Sequence, residues 1–160
     1  MRRLLLVLPL LAAPAFAWAA EDAPCPAQQV PLPDNLASFA NPASFTGDAT
    51  MVTTGLAVKL KLAPIETVTD LADKEPKPGT FAGRATLVVT EAGSYGIAAS
   101  AGAWLNVLDQ GAVLTSSDHE RVTCSPVHKI VYYDLKPGLY GLEVSNAPAD
   151  SLTVLLFKKP

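Results

Sequence analysis

The chain has 160 residues, 49% of them hydrophobic, and carries 12 Lys and Arg against 15 Asp and Glu, a net charge of −3 at pH 7. This length is enough for one ordinary domain with its own core. The acidic balance gives no electrostatic reason to bind nucleic acid or an anionic membrane, because both call for basic patches.

The first 20 residues, MRRLLLVLPLLAAPAFAWAA, have the three parts of a secretory signal peptide. Arg2 and Arg3 precede an apolar run over residues 4–13, and small residues then offer A-x-A cleavage sites. The run is shorter than the roughly 20 residues that span a bilayer. We therefore predict a periplasmic or secreted protein that is not inserted in a membrane after cleavage. Loss of the two arginines leaves ten cationic side chains against 15 acidic ones, a net charge of −5.

Residues 21–49 form the next unit, and their prolines forbid a regular helix or a central strand. We predict an irregular arm that packs on the following domain, which covers residues 50–160. A second proline-rich stretch, DLADKEPKPG at 70–79, is charged and is predicted to be a mobile surface loop. The prolines of the arm are Pro24, Pro26, Pro31, Pro33 and Pro42.

The chain has two cysteines, Cys25 in the arm and Cys124 far along the domain. In an exported protein, two cysteines are typical of one disulfide rather than of a thiolate ligand or nucleophile. We predict that Cys25 and Cys124 are bonded and that the bond fixes the arm.

From residue 55 onward the pattern is that of β-strands. In GLAVKLKL (55–62) the apolar residues alternate with lysines, which predicts a half-buried strand. RATLVVTEAGSYGIAAS (84–100) gives two strands around a turn at 91–93. The predicted apolar face of the first of these segments is Leu56, Val58, Leu60 and Leu62, with Lys59 and Lys61 opposite.

The later segments predict two hairpins and a closing strand. AWLNVLDQGAVLTS (103–116) has a short loop in which Gly111 supplies a positive φ. HKIVYYDLKPGLYGLEVSN (128–146) has Pro137 and Gly138 in the positions that a type II turn requires. SLTVLLFKK (151–159) is the last strand. Seven or eight short strands without a long helix predict an antiparallel β-sandwich or jelly roll; a closed barrel is the alternative.

Two stretches resemble each other: VTEAGSYGIAAS and DLKPGLYGLEVS share a turn glycine, then one residue, then Tyr-Gly. We interpret this as a turn type that sandwiches reuse, since a repeat array needs more copies. The same motifs resemble the bacterial prepeptidase C-terminal domains, small periplasmic β-sandwiches, over residues 80–157. The residues that carry this resemblance are Leu87, Val89, Glu91, Ala92, Gly93 and Tyr95, then Leu135, Pro137, Gly138, Tyr140, Leu142 and Val144.

The signal, the Cys-Pro arm, GAWLNV and the LTS…H…C stretch are together similar to a group of small exported proteins of sphingomonad-type bacteria. Its members often carry the name homogentisate 1,2-dioxygenase. Such enzymes hold Fe(II) with two histidines and a carboxylate. This chain has enough residues for such a ligand set: His119, His128 and either Asp118 or Glu120. Because the enzyme family is several times larger and acts on a cytosolic metabolite, we interpret the name as inherited.

The stretch SSDHERVTCSPVHK (116–129) holds both histidines. If His119 and His128 converge with Asp118 or Glu120, they suit Zn²⁺ or Cu²⁺. Adjacent residues cannot all point inward, however, and two ligands do not complete a coordination sphere. The favoured interpretation is a disulfide-anchored surface loop with His119 exposed and His128 packed beside Tyr132 on a strand.

No catalytic set is predicted, because there is no G-x-S-x-G elbow and no glycine-rich phosphate loop. Trp104 is a platform for a ligand if it faces outward, with Leu105 and Val107 facing the core; a buried position is favoured for such a ring. The sequence therefore predicts a non-catalytic binding or structural module whose partner is a protein, a glycan or a small molecule. No cofactor is expected beyond a weakly held Zn, Cu or Fe ion.

Overall fold

The computed structural model describes residues 32–44, 50–72 and 75–160. Within them lie two 3-10 helices, Asp34–Ala40 and Ile65–Thr67, and twelve strands. The strands are β1 (Ala43–Ser44), β2 (Met51–Thr53), β3 (Ala57–Lys61), β4 (Ala63–Pro64), β5 (Phe81–Val89), β6 (Gly93–Ala99), β7 (Trp104–Asp109), β8 (Ala112–Val113), β9 (Asp118–Arg121), β10 (Lys129–Leu135), β11 (Gly138–Ala147) and β12 (Ser151–Lys158). No helix in this part of the chain is long and apolar enough to cross a membrane.

The strands form two sheets that pack face to face and do not close on themselves. The first sheet has the order β1-β3-β12-β6-β10-β9, and the second has the order β2-β5-β11-β7-β8 with β4 added beside β5. Two pairs, β1 with β3 and β2 with β5, are parallel, and the other pairs are antiparallel. The predicted β-sandwich is confirmed, and the barrel alternative is wrong. The strands beyond the seven or eight expected are short pieces of two to four residues at sheet edges.

The main core lies between the sheets and follows the alternation read from the sequence. In β3 and just after it, Val58, Leu60 and Leu62 are buried, as predicted for one face of the strand. Leu56 is 41% exposed, because the strand begins only at Ala57. The alternation therefore gave the buried face of β3 correctly but placed its start one residue too early.

A second apolar cluster covers the outer face of the first sheet. Leu36 and Phe39, from the first 3-10 helix, are buried in it together with residues of β3, β6, β10 and β12. The hydroxyl of Ser38 accepts a hydrogen bond from the backbone N–H of Ala57 at 3.1 Å. Residues 34–40 of the proline-rich segment thus seal a sheet face that would otherwise lie open to water.

The tight β7–β8 hairpin has the predicted loop. Gln110 and Gly111 both have positive φ, 48° and 87°, as a two-residue type I′ turn requires. Gly138, in contrast, is not among the described glycines with positive φ, so the predicted type II turn at 137–138 is wrong.

The physical reason is that β10 and β11 do not form a hairpin. β10 pairs with β6 and β9, whereas β11 pairs with β5 and β7, so the chain crosses from one sheet to the other between them. The hydroxyl of Tyr140 closes this corner, donating to the carbonyl of Lys136 at 3.0 Å. The chain crosses in the opposite sense between β5 and β6, where Tyr95 donates to the carbonyl of Glu91 at 2.9 Å. The two similar stretches of sequence thus build equivalent tyrosine-closed corners.

The described residues of the 70–79 stretch are hydrogen bonded to β5 and β11. The carboxylate of Glu143, fully buried, accepts from the N–H of Ala72 at 2.8 Å and lies 3.4 Å from the guanidinium of Arg84. Arg84 also donates to the carbonyls of residues 69 and 70. Further along, the N–H of Lys77 donates to Asn146 Oδ1 at 2.8 Å. These bonds connect residues 69–72 and Lys77 to the second sheet, and the exposure of residues 75–79 confirms that the stretch lies at the surface; its mobility stays a prediction.

Candidate binding groove

A half-open groove of about 900 Å³ lies where β7 and β8 of the second sheet face β9 and β10 of the first. Its walls come from residues 102–106, 113–116 and 119–121, from His128 and β10, and from Lys77 of the bonded loop. Four of the residues selected from the sequence therefore share one concave surface: Trp104, His119, Glu120 and His128. They reach it from strands and turns of the two sheets.

One wall of the groove is β9, which corrects the prediction that 116–129 is only a surface loop. Asp118–Arg121 pairs antiparallel with β10, with His119 opposite Val131 and Arg121 opposite Lys129. All four residues of β9 are exposed. The polar sequence argued against a buried strand, but an edge strand is hydrogen bonded on one side only and is commonly protected by charged side chains.

The register of β9 separates its carboxylates from its histidine. Val131 belongs to the core between the sheets, so His119, directly opposite it, lies on the inner face. Asp118 and Glu120 alternate with His119 and lie opposite Tyr132 and Ile130 of the outer cluster. The carboxylate of Glu120 accepts a hydrogen bond of 2.6 Å from the Tyr132 hydroxyl. Asp118 accepts one of 2.7 Å from the backbone N–H of His119.

This geometry bears on the predicted metal ligands. Among the residues that the structure describes, no group of three or more His, Cys, Asp or Glu side chains is placed to hold a metal ion. The two histidines and Glu120 share the groove, but the carboxylate of Glu120 is hydrogen bonded to Tyr132 and that of Asp118 to the backbone N–H of His119. His128 precedes β10 rather than starting it, and its imidazole lies against Gly102, not beside Tyr132 as expected.

Trp104, the first residue of β7, is 56% exposed. Leu105 and Val107 face the core as predicted, so the favoured prediction of a buried Trp104 is wrong and the outward alternative is correct. The ammonium of Lys129 lies 5.1 Å from the centroid of its ring and donates to the carbonyl of Ala103 at 3.2 Å. A cation at this distance from an aromatic face is attracted to it, which holds both side chains in place.

The groove is rich in cations. Lys77, Arg121 and Lys129 line it, and Lys129 is partly buried. Burial lowers the pKa of the Lys129 ammonium, and the nearby charge of Arg121 lowers this pKa further. Burial also raises the pKa of Tyr132 to about 12, with the hydrogen bond to Glu120 and that carboxylate's charge adding to the effect.

Sequence reasoning missed these three cations. The sequence could have indicated Lys129, because the alternation within β10 puts its side chain on the same face as those of Val131 and Tyr133. The position of Arg121 in the groove could be predicted only if its partner strand was known, and that of Lys77 only if the path of its loop was known. Glu143 was missed as well, since nothing local shows that an acidic residue in an apolar strand meets an arginine on the next strand.

Cys124 lies between β9 and β10 with a positive φ of 57°. Cys25 lies outside the described residues, as do the predicted signal peptide and the first part of the arm. The disulfide between the two cysteines therefore stays a prediction.

The solved structures that are similar to this chain include two at low sequence identity. The chain is similar to the pre-peptidase C-terminal domain of collagenase from Bacillus anthracis, with 15% identity and a TM-score of 0.44 over 72% of this chain and 98% of that domain. It is also similar to a β-glucosidase from Paenibacillus barengoltzii, with 15% identity and a TM-score of 0.31 over 82% of this chain and 12% of that protein. No family model matches the chain, and no curated protein matches it.

The first of these structures is a domain of the type that the motifs of the C-terminal half resemble. Neither structure bears on the likeness to sphingomonad-type exported proteins or on the homogentisate dioxygenase name. At these TM-scores the similarities say nothing about the groove.

Proposed function

We propose that the protein is an exported, non-catalytic binding module whose ligand lies in the groove between β7–β8 and β9–β10. The observation that carries this proposal is the exposed indole of Trp104 at a concave surface. Large aromatic rings dominate the energetics of interfaces when they become covered. A ring that the folded chain leaves more than half uncovered is therefore available for contact with a partner.

The neighbourhood of Trp104 supports a binding role. Lys129, anchored on the carbonyl of Ala103, holds the plane of the ring. A ring that is already oriented loses little side-chain freedom on binding, so more of the contact energy appears as affinity. The walls of the groove are built from strands of both sheets, and binding sites on such rigid elements keep their geometry.

The shape of the groove favours an extended ligand. It is half open and combines a few polar groups with apolar wall residues such as Leu105 and Leu114. A small molecule that needs most of its surface enclosed is bound in deeper cavities. A glycan chain, which can lie along an open surface and stack on an aromatic ring, fits this shape better.

Export is supported by the sequence of residues 1–20. A positively charged start, a short apolar run and A-x-A sites are the features that a secretory signal requires. A glycan-binding module outside the cytoplasm has its ligands at hand in cell-surface and extracellular polymers.

Trp104 itself provides the assay, because the only other tryptophan is Trp18. In the full chain carrying Trp18→Phe, the emission reports on the groove alone. We expect one or more members of a panel of neutral and uronic-acid oligosaccharides to change this emission in a saturable way. By calorimetry, Trp104→Ala should abolish the binding.

The matched control is Leu139→Ala, which removes a 65% exposed side chain that does not line the groove. This variant should bind as the parent does. The proposal is wrong if no member of the panel binds at millimolar concentration, or if binding survives Trp104→Ala.

A further inference from the structure

Two cations face each other across the edge of the first sheet. Arg121 of β9 and Lys129 of β10 are direct partners in the antiparallel register. Side chains so paired have Cβ atoms about 5 Å apart, and like charges in such a pair destabilise the sheet. The fold therefore keeps an unfavourable pair at the wall of the groove.

Within the described residues, neither Arg121 nor Lys129 forms a salt bridge with an acidic side chain. The ion pairs in this part of the chain are Arg84 with Glu143 and Lys158 with Glu91. The acidic neighbour in β9, Glu120, also lines the groove, but its carboxylate is hydrogen bonded to the Tyr132 hydroxyl and not to either cation. Burial, and next the charge of Arg121, lowers the pKa of the Lys129 ammonium, as expected for two cations held close together.

A third cation, Lys77, adds to the positive charge of this surface. Lys77 is brought to the groove by a loop in which its own N–H donates a hydrogen bond to Asn146. The whole chain has a net charge of −3, so the groove is locally positive in a protein that is negatively charged overall. Natural sequences break local rules of this kind mostly at functional sites.

We infer that the groove binds a carboxylate-bearing saccharide, with the carboxylate between Arg121 and Lys129 and a sugar face on the indole of Trp104. This inference rests on the proposed function and gives its ligand a charge and a class. A guanidinium presents a planar fork of donors that matches a carboxylate, and an ammonium adds a compact charge. The C–H face of a pyranose ring is apolar and flat, which suits stacking on an indole.

The decisive experiment compares a uronic-acid oligosaccharide with the same oligosaccharide after methyl esterification of its carboxylates. Calorimetry on the full chain should show the acid form binding at least tenfold more tightly than the ester. Arg121→Gln should weaken the acid form about tenfold and leave the ester unchanged, whereas Lys129→Gln should weaken the acid form more than the ester, because it also removes the cation that orients the indole. Trp104→Ala should abolish the binding of both forms, and Lys59→Gln, an exposed change outside the groove, should weaken neither.

A second measurement needs no ligand. If the Arg121–Lys129 pair is unfavourable in the free protein, Arg121→Gln should leave the melting temperature unchanged or raise it. A lower melting temperature for Arg121→Gln would overturn the inference, because the arginine would then have a structural role.

The outcomes separate this inference from the proposed function. Equal affinity for acid and ester, lost in Trp104→Ala, would overturn the carboxylate site while the binding role stands. Binding of poly-glutamate as tight as that of the saccharide, dependent on Arg121, would overturn the saccharide class. Absence of any binding would overturn both.

Discussion

Gly96 lies at the centre of a row of aromatic residues, and a methyl group there should destabilise the protein. In the first sheet Gly96 of β6 is the register partner of both Tyr132 in β10 and Phe157 in β12. The Phe157 ring covers the glycine, and a Cβ at position 96 would lie 2.3 Å from its Cζ atom. Gly96→Ala therefore has to displace this ring.

The loss of stability in Gly96→Ala depends on how far the Phe157 ring is displaced. Phe157 is 4% exposed and packs edge to face on Tyr132, with ring centroids 6.3 Å apart. Overpacking of this kind costs about 1–3 kcal/mol. Complete expulsion of the ring would forfeit its burial, about 1.5–3 kcal/mol. We expect Gly96→Ala to lower the free energy of unfolding by about 2–3 kcal/mol, on the order of 5–10 °C in melting temperature.

A double-mutant cycle tests the cause. Phe157→Ala alone should cost about 3–5 kcal/mol. In that background the added methyl meets open space, and Gly96→Ala should be neutral or stabilise by about 0.5 kcal/mol, since glycine weakens a strand interior. The measurement is urea unfolding of the four proteins followed by far-ultraviolet circular dichroism.

Gly102→Ala is the matched control. A Cβ there would lie 3.5 Å from the imidazole of His128, an ordinary contact, and the residue has no positive φ. We expect a change within about 0.5 kcal/mol, as for most surface substitutions. Additive effects of the Gly96 and Phe157 changes would refute the steric reasoning.

Four further predictions concern a buried acid, a tyrosine, the cysteines and the dioxygenase name. Glu143→Gln keeps an acceptor for the loop amide and should cost about 1 kcal/mol, whereas Glu143→Ala leaves a donor unpaired and should cost about 2–4 kcal/mol in urea unfolding. Tyr132 should titrate near pH 12 in the phenolate absorbance. Because the pKa of Tyr132 in the unfolded chain is about 10, its contribution to stability is complete below pH 10 and declines as the pH rises toward 12. Glu120→Gln should lower the pKa of Tyr132 in the folded protein. An unchanged titration in this variant would contradict the role of the Glu120 hydrogen bond in raising that pKa. Cys25→Ser should cost about 2–5 kcal/mol, and two free thiols in the unreduced, denatured protein would show that no disulfide exists. Homogentisate with Fe(II) should cause no oxygen uptake, and uptake that disappears in His119→Ala would restore the iron interpretation.

The sequence alone determined the strands and most of the inner core. Alternation with period two is a local property of the chain, so it placed Leu105 and Val107 inward before any partner strand was known. The same holds for the hairpin at Gly111, because a positive φ is a requirement on one residue. Two packed sheets then follow as the arrangement that buries these alternating faces.

Only the tertiary structure decided which strands pair, and with that the site. The residues around Tyr95 and Tyr140 suit a turn within a sheet as well as a corner between sheets, and the choice depends on strands far away in the sequence. The exposure of Trp104 also depends on what covers the outer face of its sheet. The opposition of Arg121 and Lys129 exists only in the register of β9 on β10, because a shift by one residue would turn each side chain to the other face of the sheet.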